Sequence, residues 1–176
     1  MKNILFIFTF IFTISCFGQK KETTAVLNED GDLVGIANKE NFLVEPFNEW
    51  FSYNYKDYEV NEEIVDSLKP ILKKVTIKAF MGTWCSDSQE QTPVFYKILD
   101  EAGFNYKNLE LVTVNSDKKT PDNLQEGFDI ERVPTFIFYI EDHEIGRFVE
   151  YPRESVEVDM LKIVSGEPYK HSYEKE

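Results

Sequence analysis

The sequence predicts an α/β fold: a three-layer α/β/α sandwich around a central mixed sheet, with an N-terminal extension. Three observations carry this. Residues 75–81 (VTIKAFM) form a strand-like apolar run, followed by a tight turn and a long amphipathic helix. Residues 109–114 (LELVTV) and 135–140 (TFIFYI) are two further core strands. After the last of these, a turn at 141–144 returns a hairpin partner at 145–149, and a helix carrying Val156, Met160, Leu161 and Val164 runs to Gly166. Strands that alternate with helices and end in a hairpin call for both parallel and antiparallel neighbours in one sheet.

Bulk composition sets the frame. A chain of 176 residues suffices for one domain of ordinary size, and 42% apolar with 29% charged residues marks it as globular rather than disordered. The net charge of -13 argues against a nucleic-acid partner and against electrostatic attachment to an anionic membrane.

The first residues form a segment apart. Lys2 precedes an uncharged apolar run at 4–14, and Ser15, Cys16, Phe17 and Gly18 follow. This is the pattern of a secretory signal, and the run is short for a membrane span. Two exits are open. Signal peptidase can cut after Gly18, since Cys16 and Gly18 are small residues at the required spacing. Alternatively, Ile14-Ser15-Cys16 resembles a bacterial lipobox that would leave Cys16 lipidated, although Thr13 stands where that pattern prefers leucine. Either route takes residues 1–18 out of the core and exports the protein to the periplasm or cell envelope. Membrane attachment is then only through the signal or an N-terminal lipid. The mature chain keeps one free thiol, Cys85, and no internal disulfide, where paired cysteines are the rule for exported proteins.

Residues 19–60 read as the N-terminal extension. Asp30-Gly31 suggests a hairpin, and Leu43, Phe47, Trp50 and Phe51 recur at helical spacing. Tyr53, Tyr55 and Tyr58 are expected in a loop that caps one edge of the core; an aromatic ligand face is the other reading. The main domain spans 61–166. Asn61 caps a helix with Glu62 and Glu63 in its positive first turn, and Pro70 kinks or shortens it. After the strand at 75–81, Gly82-Thr83 makes the turn. Ser86, Asp87 and Ser88 open a helix with the stripe Val94, Phe95, Ile98, Leu99 and Ala102, bent at Pro93 and closed at Gly103. A short helix is expected over 122–128, and the polar tail 167–176 is expected to be loose.

These residues carry a family resemblance over about residues 64–165. Trp84, Cys85, Ser88 and Pro93 occupy the places of a Trp-Cys-x-x-Cys helix start and its later proline. Val133-Pro134-Thr135 before an apolar strand is similar to a cis-proline loop. Together they resemble the thioredoxin fold, and the N-terminal part resembles exported thioredoxin-like proteins of the Bacteroidetes. Two positions depart from the pattern. Ser88 stands where the resolving cysteine belongs, and Ala79 stands where many thioredoxins keep a buried aspartate. A hydroxyl is too weak an acid to replace a thiolate in disulfide exchange, so an attacked partner could not be displaced from within the chain.

Cys85 is the candidate catalytic residue. A thiol at a helix N-terminus faces free backbone N–H groups and the positive end of the helix dipole, and both favour the thiolate. Ser88 can hydrogen-bond the sulfur, whereas the Asp87 carboxylate opposes a second negative charge. The resemblance implies that Pro134 lies in cis against Cys85, that the Val133 backbone is free to pair with an extended partner, and that Trp84 walls the groove. The leading function is monothiol exchange with protein thiols or a small-molecule thiol as the external resolving partner. The alternative is a non-redox scaffold that binds extended polypeptides in the cell envelope. In that case Cys85 is a small buried hydrophobe and Trp84 a packing residue. Peroxidatic chemistry is disfavoured because Gly82-Thr83 lacks the usual proline and threonine. His143 is expected in a surface turn and His171 in the tail, and neither is read as catalytic. No metal ligand set and no phosphate-cradling loop for a cofactor is present in the sequence.

Overall fold

Six strands make one mixed sheet in a computed structural model that describes residues 24–174. They are β1 (Val26–Leu27), β2 (Leu33–Ala37), β3 (Thr76–Met81), β4 (Leu109–Thr113), β5 (Thr135–Ile140) and β6 (His143–Val149), in the spatial order β1-β2-β4-β3-β5-β6. The β3–β4 pair is parallel and every other pair is antiparallel. The helices are α1 (Asn48–Asp57), α2 (Glu62–Leu72), α3 (Ser86–Glu101) and α4 (Val156–Ser165). The architecture is the expected α/β/α sandwich with a central mixed sheet. The export segment with Cys16 lies outside the described residues.

Alternation along the strands decides the two faces. Ile77, Ala79 and Met81 of β3 turn to the larger core, where they meet Val94, Phe95, Ile98 and Leu99 of α3, Met160 and Ile163 of α4, and the aromatic residues of α1. Phe95 stacks on Phe136 of β5 with ring centroids 3.8 Å apart. Phe80 faces the other way and joins Val112, Val114, Val133 and Ile137 in a smaller core, with Leu124, Phe128 and Ile130 laid over it.

That second layer corrects one expectation. Residues 122–128 form successive turns rather than a helix. Asn123, Gly127 and Asp129 have positive φ, and the Thr120 hydroxyl and Gln125 side chain take local hydrogen bonds that a helix would have used. The segment still covers the sheet, because Leu124, Phe128 and Ile130 are placed by the turns.

The N-terminal region is tied to the sheet and to α3. Asn28 accepts from the Asp30 and Asp32 amides across the hairpin turn, and β2 then lies beside β4 in the central sheet. Tyr53 and Tyr55 lie inside α1 rather than in a loop, and Tyr58 is its C-terminal cap. The Phe47–Trp50–Phe51 face of the helix packs on Phe42, and the helix runs on for two further turns because nothing in 52–57 breaks it. Tyr55 and Tyr58 pack on the core, while Tyr53 is exposed.

Two acids fasten these layers. Asp159, fully buried at the start of α4, accepts from the Arg153 and Glu154 amides and the Tyr169 hydroxyl. Asp100 on α3 accepts from Lys39 and from the hydroxyls of Tyr55 and Tyr106, both at 2.6 Å. Burial disfavours the Asp100 charge, but the hydrogen bonds from Lys39, Tyr106 and Tyr55 outweigh that and hold its carboxyl below the usual carboxylate range. A depressed folded-state value means stability that is present above the unfolded carboxylate value and is lost as pH falls through the folded one. Asp100→Asn is therefore expected to cost about 1–3 kcal/mol at neutral pH. The gap to wild type should narrow as urea unfolding is repeated at progressively lower pH below about 4.

The tail also differs from expectation. Arg153 donates to the backbone carbonyls of Lys170, His171 and Glu174, and Ser172 donates to the carbonyl of Tyr151. Residues 167–174 are thus held against the end of β6, although they are polar.

Candidate active site

The β3–α3 connection builds the site. The Gly82 carbonyl accepts from the Cys85 amide at 3.1 Å, a tight turn that delivers Cys85 to the N-cap position of α3. Thr83 is buried, and its hydroxyl accepts from the Leu33 amide at 3.1 Å, which ties the turn to the start of β2. Gln89 reaches back from α3 to the Thr83 carbonyl at 2.7 Å.

Trp84 folds back over the turn. Its indole N–H donates to the Val114 carbonyl at 2.9 Å, just past the end of β4. Its ring lies so close to Gly82 that a Cβ there would stand 2.5 Å from the indole. The ring is still 37% exposed, so it is both a lid on the turn and a wall open to solvent.

Cys85 does not cap its own helix. Its thiol donates instead to the Val133 carbonyl at 3.3 Å. The Val133–Pro134 bond is cis, so the expectation for Pro134 holds in the geometry. The loop that presents Val133 is braced on both sides. The Thr135 hydroxyl donates to the Arg132 carbonyl, and the Glu150 amide donates to the Pro134 carbonyl.

Cys85, Trp84 and Val133 line one cleft of about 400 Å³, together with Lys118, Glu131, Arg132 and Glu150. Pro134 is buried and does not line the cleft. Ser88 is not in the cleft. It is fully buried, and its hydroxyl accepts from the Gly82 amide at 3.2 Å. Asp87 is half-buried in the first turn of α3 and does not line the cleft. Ala79 is buried beneath, on β3. Lys78, on the same strand, is paired with Glu110 at 2.7 Å and lies over Phe128.

Sequence reasoning passed over the four charged residues of the cleft. Two of them had a local signal. Arg132 directly precedes Val133-Pro134, and the β5–β6 register, with Thr135 opposite Val149, carries Glu150 to the same loop. Lys118 had none, because it comes from the turn after β4. There it sits at φ 60, its amide donating to the Asn115 carbonyl while the next amide, of Lys119, donates to the Asn115 side chain.

With this geometry in view, the family comparison is decisive. Residues 48–162 match the family model described as Thioredoxin, well over half of the chain. The chain belongs to the thioredoxin family. No curated protein matches it. Two solved structures share the fold of this thioredoxin-family protein. One is a 1.5 Å crystal structure of a protein of unknown function from Pseudomonas aeruginosa. It is 15% identical with a TM-score of 0.52, and covers 74% of this chain and 81% of that one. The other is an HIV epitope scaffold, 16% identical with a TM-score of 0.51, covering 74% of this chain and 84% of its own.

The close packing of Trp84 on Gly82 gives a direct test. Gly82→Ala must displace the indole, and should cost about 1–3 kcal/mol as an overpacking change. In a Trp50→Phe background, the emission of Trp84 should move toward that of a solvated indole as the bond to Val114 is lost.

Proposed function

We propose that this thioredoxin-family protein is an exported monothiol that exchanges disulfides through Cys85 and depends on an external thiol for release. The observation that carries the reading is the division of labour between Cys85 and Ser88. The thiol is half-buried at the mouth of a cleft, at the head of α3 and against the cis-proline loop. The residue in the resolving position is a buried hydroxyl already engaged by the Gly82 amide.

The chemistry follows from those positions. As a thiol, Cys85 spends its proton on the Val133 carbonyl. Loss of that proton removes the donor, and the sulfur then faces a carbonyl oxygen that repels it. The sulfur is released toward the cleft, and the Val133 carbonyl becomes available to an N–H of the partner. The Cys85 thiolate attacks one sulfur of a disulfide R–S–S–R′, forming Cys85–S–S–R and expelling R′–S⁻. A second, external thiolate R″–S⁻ then attacks the sulfur of R, forming R–S–S–R″ and returning the Cys85 thiolate. Protein thiols or a small-molecule thiol fill these roles. Export rests on the N-terminal signal pattern alone, with Cys16 either removed with the signal or retained as the site of a lipid.

The mature protein, with Cys16 removed or blocked, should behave as its own trap. With a model disulfide and no added reductant, it should accumulate one stable adduct on Cys85, detected by intact mass. Addition of a free thiol should clear it. Cys85→Ser should form none. Ser88→Cys, which restores a thiol in the resolving position, should shorten the adduct's lifetime at least tenfold, a step of about 1.4 kcal/mol in the barrier. An adduct on Ser88→Cys as long-lived as that on wild type would count against the assignment. Binding of extended polypeptides that survives Cys85→Ser undiminished would favour the non-redox scaffold instead.

A further inference from the structure

The four charged residues of the Cys85 cleft are not equivalent. Arg132 and Glu150 form a closed pair at 3.3 Å. The tail seals it: the Tyr173 ring lies 3.7 Å from the Arg132 guanidinium, and its hydroxyl donates to the Glu150 carboxylate. Tyr173 is in turn held by contact with Tyr151 and by the grip of Arg153 on the tail backbone. The Arg132 and Glu150 charges are therefore committed to each other before any partner arrives.

Lys118 and Glu131 are in the opposite condition. Among the described residues, neither side chain has an ion-pair or hydrogen-bond partner, and they do not pair with each other although both line the same cleft; the electrostatic neighbour of Glu131 is the His171 imidazole, whose pKa burial lowers and which is itself in contact with Glu174. Lys118 is not a freely roaming surface lysine at its base, because the Asn115 turn fixes its backbone at φ 60. Glu131 is carried one residue before Arg132, on the braced loop that presents Val133. One cation and one carboxylate, neither in an ion pair, thus line the same cleft as the thiol in a space of about 400 Å³, at the small end of the range for small-molecule sites.

We infer that the cleft selects a small disulfide or thiol of amino-acid type, with a carboxylate and an ammonium group close to its sulfur. Lys118 takes the carboxylate and Glu131 the ammonium. The inference rests on the exchange reading of Cys85 and names its partner class. Cysteine residues within a polypeptide carry neither charge, so the arrangement favours a free amino-acid thiol over a protein one. The bond changes are those of disulfide exchange: Cys85–S⁻ attacks one sulfur of the symmetric disulfide, Cys85–S–S–R forms, and R–S⁻ leaves with the electron pair of the broken S–S bond.

Four disulfides of similar size separate the possibilities: cystine, with both charges; cystamine, with only the ammonium; 3,3′-dithiodipropionate, with only the carboxylate; and 2-hydroxyethyl disulfide, with neither. The rate of adduct formation on Cys85 is followed by intact mass for the folded chain carrying Cys16→Ser, so that Cys85 is its one thiol. It is divided by the rate for the same protein unfolded in urea, which cancels the intrinsic reactivity of each probe. The folded protein should prefer cystine over 2-hydroxyethyl disulfide by about fivefold or more, as two partly exposed charge contacts allow. Cystine should also exceed both singly charged probes. Lys118→Met and Glu131→Gln should each lower the cystine to 2-hydroxyethyl disulfide ratio. Using a ratio removes any effect of either substitution on the thiol itself. Equal normalised rates for cystine and 2-hydroxyethyl disulfide, a singly charged probe reacting fastest, or a cystine preference untouched by both substitutions would overturn the inference while leaving Cys85 exchange intact. Reaction with none of the four probes in the folded state would overturn both.

Discussion

The contact between the Cys85 thiol and the Val133 carbonyl joins two segments that lie 48 residues apart. Nearly every feature of the fold serves to bring those two atoms together. The parallel β3–β4 pair places the head of α3 above the end of the sheet, and the antiparallel β5 on the other side of β3 starts from the Val133–Pro134 loop. The larger core fixes the height of α3 through Phe95 against Phe136. The smaller core fixes Val133 through Phe80, Val112 and Ile137. Trp84 closes the third side by bonding to Val114, beyond the end of β4. The thiol is thus addressed by three adjacent strands, and none of the three could shift without moving it.

Much of this was legible in the sequence because it depends on local pattern. The 75–99 stretch announces strand, turn and helix through apolar period and the glycine at 82. Val133-Pro134-Thr135 before an apolar run announces the loop. What was not legible depends on contacts between distant residues or on turn chemistry that mimics a helix start. Thr120 and Gln125 use their side chains on nearby backbone groups, and three positive-φ residues finish what an apolar spacing suggested was a helix. Tyr53 and Tyr55 continue a helix whose packed face ends earlier. The tail looks loose by composition, and only the Arg153 side chain, reaching three of its carbonyls, holds it. At the site, Cys85, Trp84 and Val133 were foreseen. Lys118 was not, since nothing near it in sequence points to the thiol.

The replacement of a resolving cysteine by Ser88 changes what the fold can be asked to do. The serine is integrated into the turn by its bond to the Gly82 amide, so it supports the geometry that presents Cys85 while contributing no second sulfur. On the exchange proposed for Cys85, a protein so built starts the reaction and holds its product. Turnover is passed to whatever thiol reaches the cleft next, and the charges around that cleft then matter more than they would in a self-resolving pair. The tail participates here too, since Tyr173 commits Arg132 and Glu150 to each other and leaves Lys118 and Glu131 as the charges assigned to the proposed partner.

That the fold presents Cys85 as an open nucleophile is tested most directly by its alkylation rate at neutral pH in the folded chain carrying Cys16→Ser, against the same chain in urea. The folded protein should react at least as fast as the unfolded one, with Cys85 as the modified residue. Protection of Cys85 in the folded state, with reaction appearing only as the chain unfolds, would contradict it.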